Sequence, residues 1–340
     1  MLKTQTYAAA FVDALLDSMD ADRSVSLIGS APLGLGPERH LTEELRRRHP
    51  DRVMDPPTAE GGVASVGAGA AMAGARPFVD LLTGSFVYLA WTQIVNEAAN
   101  GHFMSGGKLT VPVTYHCLEG VRGAGAPQHS QSPHAMLWNA PGIEIVMPSM
   151  ASDVYGLIRT AIQSPNPTMI FSHARIVGLE GPVPETRQPI PFGKADIKRH
   201  GRDVTVVALS IAVHHALAAA DRLAQEGVEI EIIDPRTLVP FDEEAILASV
   251  ARTGRLVVVD EAPLRGSSAS EIAATVTEKG FYLLKAPIMR VTRPDVPIPF
   301  SAPLEKALTP GADQIMAAVR RVIGQADGLS PNADRSGVSA

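Results

Sequence analysis

The stretch VMDPPTAEGGVASVGAGAAMAGA, residues 53–75, is the part of the sequence from which the rest of the fold can be worked out. Asp55, Pro56 and Pro57 suit a turn into a helix, because proline presets its backbone dihedral and lacks a donor that the first helical turn cannot use. Glu60 then lies in the first turn of a helix made mostly of small residues. Since each helical glycine costs about 1 kcal/mol relative to alanine, close approach to another backbone is expected to compensate.

Outward from this stretch, apolar residues alternate between helical and strand periods along most of the chain. Short apolar runs predict buried strands, and longer amphipathic runs predict the helices between them. Strands are predicted over 25–29, 77–82, 111–116, 143–147, 203–210, 229–235, 254–261 and 286–292, and helices over 4–19, 38–48, 60–75, 86–102, 212–226, 242–252, 271–278 and 312–323. This alternation is typical of α/β domains with mostly parallel sheets covered by helices.

A break rich in proline and glycine divides the chain into two predicted domains. Residues 1–180 form the first domain, 181–202 a linker, and 203–325 a second, smaller domain. The last residues, 326–340, contain too few apolar side chains to pack, so a disordered tail is predicted.

Composition excludes several classes of protein. The formal net charge is −6 and the basic residues are scattered, so nothing indicates nucleic-acid binding. The single cysteine, Cys117, excludes an internal disulfide and a cysteine-rich metal site, which fits a reducing cytoplasm. No run of about 18 apolar residues occurs, so we expect a soluble cytoplasmic protein that does not enter a membrane.

Three side chains are candidates for chemistry. Glu60 could be a catalytic carboxyl group or merely a favourable charge at a helix N-terminus. Phe86 could offer a platform for a flat ring or belong to the core. His129 lies in the polar, glycine-rich loop 117–134. Its imidazole could transfer protons near neutral pH, or the loop could simply be a solvated surface loop.

Several common motifs are absent from the sequence. There is no G-x-x-x-x-G-K-[ST] for a nucleoside triphosphate, no H-E-x-x-H, and no G-x-S-x-G around Ser130. The residues alone therefore leave the reaction open.

Five blocks in order carry a family resemblance: VMDPPTAEGGVASVGAGAAMAGARP, TQIVNEAANGHFMSGG, PQHSQSPHAML, NAPGIEIVMPSMASDVYGLI and PFGKADIKRHGRDVTVVA. From about residue 5 to about residue 322 the chain resembles the beta subunit of thiamine-diphosphate-dependent 2-oxo acid dehydrogenases, of the pyruvate, branched-chain 2-oxo acid or acetoin dehydrogenase type. The resemblance implies a transketolase-like pyrimidine-binding domain at 1–180 and a transketolase C-terminal-like domain at 203–325.

The resemblance also implies partners and cofactors. Two beta chains that contact each other would join two alpha subunits in an alpha2-beta2 heterotetramer. The alpha subunit would hold the diphosphate and magnesium of thiamine diphosphate, because this chain lacks the GDG pattern that does so. A small 2-oxo acid would be the substrate, and a lipoyl acyltransferase would receive the acyl group.

Roles for single residues follow from the same resemblance. Glu60, in DPPTAE, matches the cofactor-activating glutamate, a carboxyl group kept protonated by a poorly solvated site. Phe86 matches the phenylalanine that stacks on the pyrimidine, and His129, in QHSQ, matches the active-site histidine. Some members of the family bind potassium through main-chain carbonyl groups, and the matching positions are Val113, Ala161, Ile162, Ser164 and Asn166.

Four positions depart from the family pattern. Ser30 stands where the family has an acidic residue, Thr92 replaces an aspartate, His116 an arginine and Ser172 a glutamate. These departures bear on substrate choice and on communication between active sites, and they leave Glu60 in place.

Two other functions remain open. One is a two-subunit enzyme that cleaves acetoin, forms acyloins or acts like a transketolase. The other is a non-catalytic structural partner, against which the presence of Glu60 and QHSQ argues, because a silent subunit needs neither.

Overall fold

The structure, a computed structural model, describes residues 2–29 and 39–324. The departure at Ser30 and the predicted tail 326–340 lie outside the described residues. No helix in the described ranges is long and apolar enough to cross a membrane.

The first half of the chain begins with a strand and then alternates helices and strands. Its elements are β1 (Leu2–Thr6), α1 (Tyr7–Ala21), β2 (Val25–Ile28), α2 (Arg39–Arg48), β3 (Val53–Met54), α3 (Glu60–Met72), β4 (Arg76–Thr83), α4 (Asn100–Met104), β5 (Thr114–Glu119), α5 (Ala126–His129), α6 (His134–Trp138), β6 (Glu144–Val146), α7 (Ala151–Gln163), β7 (Thr168–His173) and β8 (Glu180–Pro184).

The second half repeats the alternation. Its elements are β9 (Asp196–Arg199), β10 (Val204–Ala208), α8 (Ile211–Ala224), β11 (Ile230–Asp234), β12 (Thr237–Val239), α9 (Glu243–Thr253), β13 (Leu256–Pro263), α10 (Ser268–Gly280), β14 (Met289–Arg293), α11 (Ala302–Leu308) and α12 (Ala312–Gly324).

Two mostly parallel sheets form the framework, which confirms the predicted α/β class. The first sheet has the order β12-β6-β7-β5-β4-β2-β3, and the second has the order β14-β13-β10-β11-β9. Within residues 2–29 and 39–324, only β12 in the first sheet and β9 in the second run antiparallel to their neighbours. A separate antiparallel pair joins β1 to β8.

The boundary between the two halves of the chain is less sharp than the sequence predicted. Strand β12 comes from the second half but completes the first sheet by pairing with β6. Part of β8 and all of β9 lie within the predicted linker 181–202. β8 and β9 are short and their residues are buried to mixed degrees, so the sequence shows no hydrophobic periodicity that would predict them. The boundaries at residues 180 and 203 stay a prediction.

Helix α3 packs one face against β4. A Cβ atom added to Gly67 would lie 2.4 Å from Cγ2 of Val79, so only glycine allows this approach. Gly62, Val66 and Gly69 lie on the opposite, exposed face. The predicted compensation for the glycines is therefore found within the chain on one face of α3.

Two predicted elements differ from the structure. The helix predicted over 86–102 is a 3-10 turn at Gly84–Tyr88, a π-helical segment at Thr92–Ala99 and α4. The strand predicted over 111–116 begins three residues later, at Thr114. Val111 and Val113 are fully buried outside the strand, and their apolar character suggested an earlier start.

One apolar core connects the two sheets. Val79, Tyr115 and Phe171 from the first sheet belong to the same buried cluster as Val207 and Val258 from the second. The two halves therefore share one hydrophobic core.

Candidate functional site

Glu60 lies in a small pocket at the carboxyl ends of β2 and β4, the edge of a parallel sheet where ligands usually bind. The pocket has a volume of about 90 Å³. It is lined by Gly29 after β2, the turn 55–59, Glu60 and Val63 of α3, and Asp80, Leu81 and Leu82 of β4.

The carboxyl group of Glu60 is buried and faces this pocket. Glu60 is 9% exposed, and it begins α3 directly after the Pro56-Pro57 turn. Within the ranges 2–29 and 39–324, its side chain has no hydrogen-bond partner. Neither oxygen of Glu60 is among the buried side-chain atoms that lack a partner, so the carboxyl group opens into the pocket and can meet a ligand there.

Phe86 and His129 meet in the structure. Their ring centroids are 5.6 Å apart and the ring planes cross at 74°, an edge-to-face contact. The hydroxyl of Ser85 donates to the main-chain carbonyl of Gln128, which ties the turn carrying Phe86 to the loop carrying His129. Phe86 is half-buried and His129 is exposed, so both rings remain accessible.

The Glu60 pocket and the Phe86–His129 pair lie on adjoining elements. A Cβ atom added to Gly61 would be 3.2 Å from the carbonyl oxygen of Leu89, so the first turn of α3 packs against the segment that follows Phe86. The structure thus brings the three candidates to neighbouring elements at one sheet edge.

The loop 117–134 is not simply a solvated surface loop. Ser130 is fully buried and Ser132 is 9% exposed, and their hydroxyl groups have no partner among the described residues. The amide of Gly120 donates to the carbonyl of Gln131 at 3.1 Å, which folds the loop back on itself. The exposed His129 therefore sits on an anchored loop.

Two departures from the family pattern belong to one buried hydrogen-bond chain. Asp80 Oδ1 lies 2.9 Å from His116 Nδ1, and His116 Nε2 lies 3.1 Å from Ser172 Oγ. The hydroxyl of Tyr7 is 2.6 Å from the same Ser172 oxygen. Asp80 is among the residues that border the Glu60 pocket, but its side chain is fully buried and lies with His116 on the face of the sheet opposite α3.

A second buried histidine connects the two halves of the chain. His134 Nδ1 lies 2.8 Å from Glu119 Oε2, and His134 Nε2 lies 3.1 Å from Asp260 Oδ1. Burial alone would lower the pKa of His134, but the two carboxylates outweigh it and hold this pKa well above its ordinary value. Sequence reasoning did not single out this triad, because its members lie far apart in sequence.

Two of the five carbonyl groups predicted to bind potassium already have a cationic partner. One guanidinium nitrogen of Arg76 donates to the carbonyl oxygens of Ile162 and Ser164, at 2.7 and 3.0 Å. The carbonyl of Val113 accepts from the amide of Thr168. A second positive charge fits poorly beside Arg76, so the potassium site stays a prediction that this geometry does not favour.

In the described part of the chain, no three His, Cys, Asp or Glu side chains are grouped so that they could hold a metal ion.

Comparison with known proteins gives matches over nearly the whole chain. Residues 3–178 match the transketolase pyrimidine binding domain and residues 193–315 match the transketolase C-terminal domain.

Two relatives and one solved structure illustrate the similarity. The acetoin:2,6-dichlorophenolindophenol oxidoreductase subunit beta of Bacillus subtilis is 38% identical, covering 96% of this chain and 99% of the relative. The pyruvate dehydrogenase E1 component subunit beta of Rickettsia felis is 38% identical, covering 93% of this chain and 98% of the relative. The solved structure, a split gene transketolase described as an inactive beta4 tetramer, is 23% identical with a TM-score of 0.77, covering 93% of this chain and 97% of that one.

Proposed function

The chain belongs to the family of transketolase-like beta subunits of thiamine-diphosphate-dependent 2-oxo acid dehydrogenases, and from this premise we propose its reaction. Together with an alpha subunit, it decarboxylates a 2-oxo acid and passes the acyl group to a lipoyl carrier. The observation that carries the proposal is Glu60, a buried carboxyl group without a partner in its pocket.

The family implies thiamine diphosphate, and the residues of the site fit its pyrimidine half. Bound there, the cofactor supplies a nucleophilic carbon and an electron sink for the loss of carbon dioxide. Glu60 holds a proton and donates a hydrogen bond to a ring nitrogen, as a carboxyl group in a poorly solvated site can. Phe86 offers an aromatic face or edge to the ring.

His129 is the proton-transfer group of the proposed reaction. It is exposed on an anchored loop and its ring contacts Phe86, so it lies beside the residue that would hold the cofactor's pyrimidine ring. An imidazole there can orient or protonate that oxygen near neutral pH. Magnesium and the diphosphate are assigned to the alpha subunit.

The proposed assembly contains two alpha and two beta chains. The exposed face of α3 carries Gly62, Val66 and Gly69, and such small residues suit close contact with a second copy of the chain. Val66 is 56% exposed. We place the assembly in the cytoplasm, in keeping with a single buried cysteine.

Sedimentation tests the assembly. The chain purified alone is expected to be dimeric or poorly soluble and to bind thiamine diphosphate weakly, because half of the site is missing. A stable monomer that binds the cofactor tightly by itself would contradict this proposal.

Acetoin cleavage is the second candidate, and the Bacillus subtilis relative favours it. Identity to the acetoin and pyruvate enzymes is equal at 38%, so identity does not separate the two. Reconstitution with the alpha subunit does: turnover of acetoin without turnover of any 2-oxo acid would replace the leading function by this one.

Glu60→Gln tests the proposed site. Glutamine keeps the size and a hydrogen-bond donor but removes the transferable proton, so exchange of the cofactor's thiazolium proton with deuterated solvent should slow by orders of magnitude. Affinity for thiamine diphosphate should stay near normal, because the diphosphate contacts lie on the alpha chain. Quenched-flow exchange, with the alpha subunit present, measures the effect.

Glu44→Gln is the matched control, because Glu44 is exposed and paired with Arg47 on α2. Exchange in this variant should equal that of the parent. If exchange in Glu60→Gln is as fast as in the parent, Glu60 is only a helix-start carboxylate and the assignment of the site is wrong.

A further inference from the structure

Arg293, on β14, is buried without an ion pair. It is only 4% exposed, and its Nε donates to the main-chain carbonyl of Glu261 at 2.6 Å. Within residues 2–29 and 39–324, this is the only hydrogen bond of its side chain, and no carboxylate forms a salt bridge with it. Arginine is almost never fully buried unless it is paired, so this guanidinium calls for a partner.

The two terminal nitrogens of Arg293 are open to a pocket. They have no partner among the described residues, yet neither belongs to the fully buried side-chain atoms that lack one. Both atoms therefore reach free space, and Arg293 lines a pocket of about 320 Å³. The protein uses Nε, whereas the end of the guanidinium fork is left for a ligand.

The carboxylates that act on Arg293 electrostatically already have histidine partners. Glu261 Oε1 lies 3.0 Å from Nε2 of His173, and the other two carboxylates are those of the His134 triad. Burial holds the pKa of Arg293 below its ordinary value, although these carboxylates act in the opposite direction. Arginine nevertheless stays charged, so the cost of burying it is only partly compensated.

Two segments that carry proposed cofactor residues also border this pocket. Tyr88 comes from the turn that contains Phe86, and Gln131 comes from the loop that contains His129. The contact between the rings of Phe86 and His129 places these segments side by side. A ligand bound to Arg293 would therefore lie between the second half of the chain and the segments of the proposed site.

The remaining walls suit a small organic anion. Pro127, Pro263 and the segment 296–298 are apolar, and the side-chain amide of Gln131 has no partner in the described part of the chain. A pocket of this size, mostly apolar with few polar groups, is typical of small-molecule sites. The two free ends of the guanidinium match the two oxygens of a carboxylate.

We propose that the terminal nitrogens of Arg293 bind the carboxylate of a small organic acid in this pocket. The inference deepens the proposed function and rests on it only for naming that acid as the 2-oxo acid substrate. The carboxylate could be the acid group beside the ketone or a second acid group at the far end of the substrate. In both cases the contact serves binding, because holding a carboxylate before it leaves as carbon dioxide does not lower the barrier to its loss.

Arg293→Met tests the contact in the full-length chain, since residues of this chain line the pocket. Methionine keeps an apolar side chain and removes the guanidinium. The affinities for pyruvate and for 2-oxoglutarate are measured by ligand-observed NMR titration. The affinity for the acid whose carboxylate is held should fall by about 10- to 100-fold, as the loss of hydrogen bonds to a charged group predicts. Acetoin, which has no carboxylate, should be unaffected.

The two acids separate the two sources of the carboxylate. A loss that includes pyruvate identifies the acid group beside the ketone, whereas a loss confined to 2-oxoglutarate identifies the far acid group. Unchanged affinity for both acids, or failure of both to bind the parent, overturns the inference. Arg293 would then only donate to the carbonyl of Glu261.

Arg290→Met is the matched control, because Arg290 is an exposed arginine on the same strand and donates to the Leu264 carbonyl and to Ser270. Its affinities should equal those of the parent, and equal losses in both variants would overturn the inference. Arg293→Lys keeps the charge without the fork and should also bind the acid more weakly. If neither Arg293 variant folds, NMR of the arginine side chains decides: no change in any buried guanidinium signal of the parent on adding either acid overturns the inference.

Turnover of the complex with the alpha subunit gives a second measurement. In Arg293→Met the KM for the 2-oxo acid should rise while kcat does not fall, as expected when binding alone is lost. Failure here is distinct from failure of the proposed function. An unchanged KM in Arg293→Met overturns only the inference, whereas fast thiazolium exchange in Glu60→Gln overturns the proposed site.

Discussion

Single polar side chains at this site are placed by strand register. Asp80 and His116 are direct neighbours on the parallel strands β4 and β5, so their side chains emerge on the same face of the sheet. Glu60 starts α3, which packs through Gly67 against Val79 on the opposite face of β4. Strand alternation therefore separates the buried Asp80–His116 pair from the side of the sheet that carries Glu60.

His129→Ala tests a single side chain with a proposed role in proton transfer. The ring is exposed and contacts Phe86 only at its edge, so assembly and cofactor affinity should be spared. Turnover of the complex reconstituted with the alpha subunit should fall by about 2 to 4 powers of ten, the usual contribution of a general acid or base.

His200→Ala is the control for this experiment, because the His200 side chain is 84% exposed and lies on the second half of the chain. Its turnover should match that of the parent. Unchanged turnover in His129→Ala would remove His129 from the mechanism.

At the scale of elements, α3 has two different faces with different tasks. Val63, Ala64, Gly67, Ala68 and Ala71 are buried on the face toward β4. The other face leaves small residues exposed, where we propose contact with a second copy. Close approach accounts for two of the glycines, Gly61 against the carbonyl oxygen of Leu89 and Gly67 against the side chain of Val79, and it does not account for Gly69 or Gly74.

Gly67→Ala tests the buried face of α3. The added Cβ atom would lie 2.4 Å from Cγ2 of Val79, so either α3 or β4 must shift. Overpacking of this kind costs about 1 to 3 kcal/mol, which should exceed the helix propensity gained from alanine. Urea unfolding of the full chain measures the free-energy difference.

Gly69→Ala is the matched control on the same helix, because no atom lies within 4 Å of the added Cβ position. At the lowest practical protein concentration, where association contributes least, it should leave the free energy of unfolding unchanged or raise it by up to about 1 kcal/mol. Equal losses in the two variants would show that packing against Val79 is not what requires glycine.

At the scale of the molecule, a buried ionic triad joins the two halves. Glu119 ends β5, His134 belongs to α6, and Asp260 lies on β13 of the second sheet. Asp260 also accepts from the amide of Ser268 at the start of α10. Burial by itself would raise the pKa of Asp260. The charge and hydrogen bond of His134, together with backbone hydrogen bonds, outweigh burial and hold this pKa below its ordinary value.

His134→Gln should remove a contribution to the stability of the whole chain that depends on pH in a defined direction. The pKa of His134 is raised in the folded state, so its stabilisation is fully present below the unfolded pKa of about 6.5 and is lost as pH rises through the folded value. The variant should cost about 3 to 5 kcal/mol below pH 6.5, as breaking a buried ion pair does, and less at higher pH.

Urea unfolding of parent and variant across this pH range measures the difference. The difference is required because burial lowers the pKa values of His214 and His215, which destabilise the chain as pH falls in both proteins. A loss that grows with rising pH would contradict a protonated His134.

The sequence by itself determined the α/β class and the candidates Glu60, Phe86 and His129. Hydrophobic periodicity is a local property and indicates helices and strands. Glu60 and His129 lie within short motifs that can be recognised without knowledge of distant contacts, and Phe86 precedes a predicted helical face. The rings of Phe86 and His129 are in contact, and the roles that the resemblance implies for them stay a prediction.

Only the tertiary structure decided which distant side chains meet. His134 and Asp260 are 126 positions apart, and Tyr7 and Ser172 are 165 apart. Strand β12 is too short to carry a pattern, and its place in the first sheet follows from pairing with β6. Buried polar partners are selected by sheet register and packing across the chain, and neither is encoded in a local stretch of residues.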